Sequence, residues 1–110
     1  METYIRKTFG EYIRELRTEN NLTLTQLAAR LDLDSANLSK IENGKREFDE
    51  KRLIKLSTVF NLDMEKLKIE YYSDFIAKKL YETNCNKEVF IAAEQKMEYL
   101  KNKQLTEKSY

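Results

Sequence analysis

The residues best suited to chemistry in this chain lie in one stretch near its middle, DSANLSKIENGKRE, residues 34–47. Short hydrogen-bonding side chains and a lysine come before an Asn-Gly turn, and Lys45 and Arg46 follow it. Such groups suit the binding of a polar, negatively charged surface. Catalysis is not expected, because the chain has no histidine to serve as a general base near neutral pH. No carboxylates or tyrosines stand at a recognisable catalytic spacing either.

Composition favours a small all-α protein. A chain of 110 residues forms one domain, or one domain with an extension. Hydrophobic residues make up 41% of it and charged residues 35%, so it can build a core beneath a soluble surface. It has no proline and two glycines, and therefore lacks the turn residues that a many-stranded β protein needs.

Cysteine usage and hydropathy predict a cytoplasmic protein without a metal or cofactor. The one cysteine, Cys85, cannot form an intrachain disulfide, which favours a reducing compartment. Without histidine it also offers no zinc site. No apolar run approaches the ~20 residues of a membrane span, and the first residues do not resemble a signal peptide.

The charge balance gives no indication of a nucleic-acid partner by itself. The chain has 20 basic and 19 acidic residues, which leave a net charge of +1. Any binding to DNA must therefore depend on where a few charges lie.

The elements that must position residues 34–47 begin with an N-terminal helix. Helical periodicity predicts it from about Thr3 to Glu19, or from Phe9 if Thr8 is its N-cap. The pair Asn20-Asn21 would end it, because Asn tolerates the left-handed conformation of a helix C-terminus. Its apolar face would consist of Phe9, Ile13 and Leu16.

Two short helices are predicted next. Thr23 would be the N-cap of TLTQLAARL, and Gln26 would complete a capping box with it. Asp34 would cap a third helix, Ser35 to Asn43. Two short helices about three residues apart, with the small Ala28 where they cross, outline a helix-turn-helix. The side chains expected to be buried are Leu27, Ala28, Leu31, Leu38 and Ile41.

Three further helices are predicted. One runs from about Asp49 to Phe60, and one from Met64 to about Glu82 with Asp63 as its cap. After the loop TNCN, the last runs from Lys87 to roughly Lys101, and the polar tail that begins there is expected to fray. The buried residues expected in the first of these helices are Leu53, Leu56 and Phe60.

Residues Phe9 to Leu67 resemble the phage-repressor and Xre (Cro/C1-type) family of helix-turn-helix transcriptional regulators. The matching strings are LRTENNLTLTQLAARLDLDSANLSKIENGKRE and LIKLSTVFNLDMEKL. The resemblance implies a five-helix, lambda-repressor-like DNA-binding domain over residues 1–67, whose third helix enters the DNA major groove. Residues 68–110 lie beyond this domain and would form a two-helix extension.

The resemblance also implies which residues face DNA. The third helix needs short donors and acceptors on its outward side. On that side Lys40 can donate to guanine and Asn37 can pair with adenine. Gly44 would allow a positive φ in a turn whose cations hold a phosphate. The base-contact candidates are Ser35, Ala36, Asn37 and Lys40. The phosphate-contact candidates are Thr23, Thr25, Ser39, Asn43, Lys45 and Arg46, with Arg52 and Lys55 as more distant ones.

One candidate pair is structural, and three positions depart from the family pattern. The resemblance suggests that Glu42 forms a buried ion pair with Arg17 and so positions the third helix. Leu24 stands where the family usually has a phosphate-binding Gln, Asp32 where Gly is common, and Phe48 where Pro is common.

The extension carries more apolar residues than one surface stripe needs. They are expected to pack within the chain and also against a second copy, although tyrosines lining a ligand site are an alternative. The predicted function is a repressor or autoregulator that binds a palindromic operator as a homodimer. The alternative is a protein–protein adaptor or antitoxin that binds a partner protein. The dimer-interface candidates are Tyr72, Phe75, Ile76, Leu80, Phe90, Ala93, Met97 and Leu100.

Overall fold

In a computed structural model, the chain is described over residues 7–108, with side chains from 7 to 104. All regular elements in this range are helical, which confirms the all-α prediction. They are α1 (Phe9–Glu19), α2 (Leu24–Arg30), α3 (Ser35–Glu42), a 3-10 turn (Glu50–Arg52), α4 (Leu53–Phe60), α5 (Met64–Glu82) and α6 (Lys87–Lys108).

The first three helices begin at the predicted N-caps. Helix α1 starts at Phe9, so the shorter of the two predicted forms is present, and residues 3–6 of the longer form lie outside the described range. Thr8 and Thr23 each take part in a full capping box. The Asp34 carboxylate accepts a 2.7 Å hydrogen bond from the backbone N–H of Asn37. These caps satisfy N–H groups that would otherwise have no partner.

Five helices, α1 to α5, end in the same way. A residue with positive φ follows each, and the next backbone N–H bonds back to a carbonyl five residues earlier, as in a Schellman motif. Glycine supplies the positive φ once, at Gly44, and the chain uses Asn or Asp for the others. A chain with so few glycines can therefore still end its helices sharply. The left-handed residues are Asn21, Asp32, Gly44, Asn61 and Asn84.

The chain divides into two compact units, of which one ends at Phe75 and the other begins at Ile76. The division falls within α5, beyond the boundary after residue 67 that the sequence suggests. The first unit holds the hydrophobic core. Leu16 and Phe60, both predicted to be inward-facing, are only half-buried. The buried apolar residues are Phe9, Ile13, Leu27, Ala28, Leu31, Leu38, Ile41, Phe48, Leu53, Leu56 and Leu67.

Helix α1 packs closely on the last turn of α3, and a glycine makes this possible. A Cβ atom on Gly10 would lie 2.2 Å from the backbone oxygen of Ile41 and 2.9 Å from that of Glu42. Because both neighbours are backbone atoms, no side-chain movement could make room. Gly10 therefore sets the distance between α1 and α3.

None of the side chains of α6 between residues 87 and 104 is buried. Every described side chain from Tyr81 to Gln104 is exposed, although some burial of this face within the chain was expected. The prediction that the helix ends near Lys101 is wrong, because it continues to Lys108. No proline or glycine follows Lys101 to stop it, and Lys, Gln, Leu and Glu are good helix formers.

None of the helices within residues 7–108 is long and apolar enough to cross a membrane.

Candidate nucleic-acid interface

The four base-contact candidates lie on the first two turns of α3. Ala36 and Lys40 are exposed, whereas Ser35 and Asn37 are half-buried. The opposite side of the helix is anchored in the core by two buried residues, Leu38 and Ile41. The helix thus presents a methyl, a hydroxyl, an amide and an ammonium group on a rigid element.

The amide of Asn37 has partners at both ends. Its Nδ2 donates to Oδ2 of Asp34 at 3.2 Å. Its Oδ1 accepts from Nη1 of Arg46, also at 3.2 Å. Arg46 comes from the turn after α3, so this contact joins the helix to that turn. The sequence suggests a phosphate contact for Arg46 and gives no indication of this bond to Asn37.

The turn after α3 is built around Gly44, which has φ +76° as expected. The N–H of Lys45 donates to the carbonyl of Lys40 at 2.8 Å. Asn43 points its Nδ2 back to the carbonyl of Ser39 at 2.9 Å, so this amide supports the turn. The ammonium groups of Lys40 and Lys45 have no hydrogen bond or ion pair with any residue in the described range.

The start of α2 offers two hydroxyl groups. Oγ1 of Thr23 accepts from the N–H of Gln26 at 3.1 Å, so its own proton can still be donated. Thr25, on the first turn, is exposed. The side chain of Gln26 completes the capping box by accepting from the Thr23 N–H at 2.8 Å.

The Arg17–Glu42 pair implied by the resemblance is present. Nε and Nη2 of Arg17 donate to the two carboxylate oxygens of Glu42 at 2.7 and 3.1 Å. Nη1 donates to the carbonyl of Leu22 at 3.0 Å. The hydrogen bond with Glu42 raises the pKa of Arg17. The side chain of Glu42 is 4% exposed, so this pair joins α1 to α3 beneath the surface.

Comparison with known proteins identifies the fold. A family model described as Helix-turn-helix matches residues 13–67, from within α1 to the start of α5. The chain belongs to the Xre-type helix-turn-helix family. The relatives of this chain, and the proteins that share its fold, are transcriptional regulators, which are not enzymes.

Three relatives of this Xre-type chain and one solved structure are informative. The transcriptional repressor RghR of Bacillus subtilis is 38% identical over 72% of this chain and 62% of its own length. The uncharacterised regulator RghRB of the same organism is 45% identical over 54% of this chain and 43% of its own length. The ImmF control region 10 kDa protein of Bacillus phage phi105 is 35% identical over 57% of this chain and 70% of its own length. The chain thus spans less than two thirds of the two RghR-type relatives.

The crystal structure of the clp gene regulator ClgR from Corynebacterium glutamicum has the same fold. It matches with a TM-score of 0.50 and 22% identity, over 67% of this chain and 79% of that one.

The structure of this Xre-type chain accounts for Asp32, which replaces the family's common Gly. Asp32 adopts φ +56°, and its carbonyl accepts from Nη2 of Arg52 at 3.1 Å. Its carboxylate pairs with Lys55. Arg52 also donates from Nε to the carbonyl of Leu31 at 2.9 Å. The two more distant phosphate candidates are thus both engaged in holding the turn between α2 and α3.

A second departure is explained by an aromatic cluster. Phe48, where Pro is common, is buried, and its ring centroid lies 5.6 Å from that of Phe9. The hydroxyl of Tyr71 donates to the Phe48 carbonyl at 2.8 Å, and its ring meets Phe9 edge-on at 5.1 Å. Aromatic packing therefore fixes the segment that a proline would restrict.

Proposed function

We propose that this chain binds operator DNA sequence-specifically as a homodimer and acts as a transcriptional repressor or autoregulator. One observation carries the proposal. Within an Xre-type domain, α3 presents Ser35, Ala36, Asn37 and Lys40 outward from a buried anchor, next to a turn whose Lys45 has no ion-pair partner among the described residues. That arrangement suits insertion of α3 into the major groove, with the turn beside the phosphate backbone.

The chemistry of the α3 face suits base edges. The ammonium of Lys40, which has no partner in the described part of the chain, can donate to guanine O6 and N7, and the amide of Asn37 can pair with adenine N6 and N7. The methyl group of Ala36 can contact a thymine methyl, and the hydroxyl of Ser35 can serve as donor or acceptor. Each good bidentate pair of this kind is worth about 1–3 kcal/mol of discrimination against the wrong base.

Phosphate binding would flank these base contacts. On one side are the hydroxyls of Thr23 and Thr25, and on the other is the ammonium of Lys45. Ser39 and Asn43 stay candidates, although their bond to each other commits the Asn43 amide to the turn. Arg46 differs from these residues, because its guanidinium is already bonded to Asn37.

The exposed apolar side chains of α5 and α6 support a dimer. Six of the candidates are about half exposed, and such side chains offer on the order of 100 Å² each. The four that belong to the second unit offer roughly 400 Å² per copy, about half of the ~800 Å² per partner of a standard interface. A dimer also doubles the phosphate contacts of a near-neutral protein and presents two α3 helices ~34 Å apart to a palindromic site. The six are Tyr72, Phe75, Ile76, Phe90, Met97 and Leu100.

Two further candidates for the interface, Leu80 and Ala93, differ in exposure. Leu80 is half-buried and Ala93 is exposed. Tyr72 has a partner within its own unit, because its hydroxyl donates to Glu50 at 2.6 Å. Its exposed ring face is what a second copy would cover.

A mobility-shift assay on a randomised duplex pool tests the DNA-binding proposal. We expect a selected sequence to be bound, and we expect Asn37→Ala combined with Lys40→Ala to abolish the preference. Lys66→Ala removes the same charge from an exposed site on α5 and should leave the preference intact. Absence of binding even at low salt would refute the proposal and favour the adaptor or antitoxin alternative.

Sedimentation equilibrium tests the dimer. Phe90→Glu places a charge on the apolar face of α6 and should shift the chain to monomer. Lys101→Glu introduces the same group at an exposed polar position of that helix and serves as the matched control. A wild-type chain that stays monomeric at tens of micromolar, or a Phe90→Glu variant that still dimerises, would refute this part of the proposal.

A further inference from the structure

We propose that Arg46 is a positioning residue for base readout, which acts by fixing the amide of Asn37, and not a phosphate contact. The inference rests on the proposed DNA-binding function and adds the source of a sequence preference. It starts from the chain of hydrogen bonds that runs from Asp34 through Asn37 to Arg46.

The two hydrogen-bond partners of Asn37 determine the orientation of its side-chain amide. The guanidinium of Arg46 stands 3.2 Å from Oδ1, and the carboxylate of Asp34 stands 3.2 Å from Nδ2. Rotating the amide by half a turn would place its N–H groups against the donors of Arg46 and its oxygen against a carboxylate. Both contacts would then be repulsive. The charges on the two sides therefore select one orientation.

Asp34 is itself held in place. Its Oδ1 accepts the 2.7 Å capping bond from the Asn37 backbone N–H, while Oδ2 accepts from the Asn37 side chain. The carboxylate that orients the amide is thus the N-cap of α3. Arg46 supplies the other half of the clamp from beyond the Gly44 turn.

The clamped amide keeps the groups that adenine needs. A primary amide has two N–H donors and an oxygen with two lone pairs. Asp34 uses one donor and Arg46 one lone pair, which leaves one donor and one acceptor. Adenine presents an N6–H donor and an N7 acceptor in the major groove. Asn37 can therefore read adenine without giving up either partner.

Lys45 supplies a matched comparison. It belongs to the same turn and carries the same charge, but it has no bond to Asn37 or to any other side chain in the described range. A residue that only binds phosphate should weaken binding to all sequences alike when it is removed, and should lower the salt slope by about one. A residue that orients Asn37 should change the preference for one base.

The experiment begins with the sequence that the wild-type chain selects from a random duplex pool. The adenine read by Asn37 is the position whose preference disappears in Asn37→Ala. Equilibrium competition then compares duplexes that differ at that base. We expect Arg46→Met to lower the preference for adenine by about two- to tenfold, the range for ordering one side chain. In a protein that already carries Asn37→Ala, adding Arg46→Met should change the base preference no further. In a protein that keeps Asn37, Arg46→Lys should lower the preference for adenine less than Arg46→Met does.

Lys45→Met should lower affinity for every duplex and leave the preference at that base unchanged. The inference is overturned if Arg46→Met behaves in the same way, with a uniform loss and a shallower salt slope. It is also overturned if no position of the selected sequence loses a preference for adenine in Asn37→Ala. Failure of the wild-type chain to select any sequence would instead refute the proposed function, so the two failures are distinguishable.

A measurement without DNA tests the clamp itself. We expect the Nδ2 group of Asn37 to show a high heteronuclear NOE in the free wild-type protein and in Lys45→Met. The value should fall in Arg46→Met, because one end of the amide loses its partner. Equal order of this amide in all three proteins would overturn the inference, whatever the DNA results.

Discussion

Replacing Arg17 with alanine should destabilise the first unit strongly, because it leaves a buried carboxylate without its partner. In the structure, Glu42 receives two hydrogen bonds from Arg17, and its side chain is 4% exposed. The same guanidinium also holds the carbonyl of Leu22 after α1. All three bonds disappear in Arg17→Ala, and the small alanine leaves room but no donor.

The expected loss can be compared with the total stability. Removing one side of a buried ion pair costs about 3–5 kcal/mol. A small domain has a free energy of unfolding of about 5–15 kcal/mol. For a domain of this size, each kcal/mol shifts Tm by roughly 4–8 °C. We therefore expect Arg17→Ala to lower Tm by at least about 12 °C and to weaken DNA binding, because Glu42 lies on α3.

Thermal unfolding followed by circular dichroism measures this effect. Arg14→Ala is the matched control, since Arg14 is an exposed arginine on the same helix. The combination of Arg17→Met with Glu42→Leu should regain most of the loss, because apolar replacement of a whole buried pair is often neutral or stabilising. A Tm for Arg17→Ala within about 3 °C of that of Arg14→Ala would refute the reasoning. So would a double variant no more stable than Arg17→Ala.

Three further substitutions test other contacts, each by thermal unfolding. Gly10→Ala should cost about 1–3 kcal/mol, because the added Cβ would meet the Ile41 oxygen at 2.2 Å, and a gain in stability would contradict the close packing. Tyr71→Phe should cost about 1 kcal/mol through the lost bond to the Phe48 carbonyl, and an unchanged Tm would show that this bond contributes nothing. Asp32→Gly should leave the free energy of unfolding unchanged or raise it by up to about 1 kcal/mol. Glycine adopts φ +56° without the steric cost that Asp32 has there, and this gain offsets the loss of the exposed ion pair with Lys55. A large loss of stability would contradict this.

Local signals in the sequence were sufficient for the starts of α1, α2 and α3 and for the helix-turn-helix. The fourth helix, predicted from about Asp49, instead begins at Leu53, because Asp49 caps a separate 3-10 turn, Glu50–Arg52. Thr8, Thr23 and Asp34 cap their helices through bonds to residues three positions later. Such contacts depend only on nearby residues, so spacing alone predicts them. The left-handed Asn21 and Gly44 follow the same logic.

Contacts between distant residues could not be predicted in this way. Nothing local indicates that Gly10 meets the backbone of Ile41, or that Arg46 reaches back nine positions to Asn37. The role of Arg52 is a similar case, because a cation near a DNA-binding motif suggests phosphate binding equally well. Only the packing of the helices shows that Arg52 donates hydrogen bonds to the carbonyls of the turn after α2.

Helix α6 shows how an assumption about burial can mislead. Periodic apolar residues predicted a helix that packs partly within the chain, yet none of its described side chains is buried. Periodic apolar residues indicate that one face of a helix packs against something, but they do not indicate whether the partner is the same chain or another one. The helix also extends beyond its predicted end, because a polar sequence of good helix formers contains no stop signal.

The exposure of α6 has a consequence for how stability and binding are linked. A helix of 22 residues with no buried side chain among residues 87–104 depends largely on its own propensity, which is marginal in water even for favourable sequences. Whatever covers the apolar face of α6 must therefore also stabilise the helix. If a second copy covers it, helix formation and dimerisation become one equilibrium. The DNA affinity of a chain with a net charge of +1 would then depend on protein concentration through the same helix, since one copy offers few phosphate contacts.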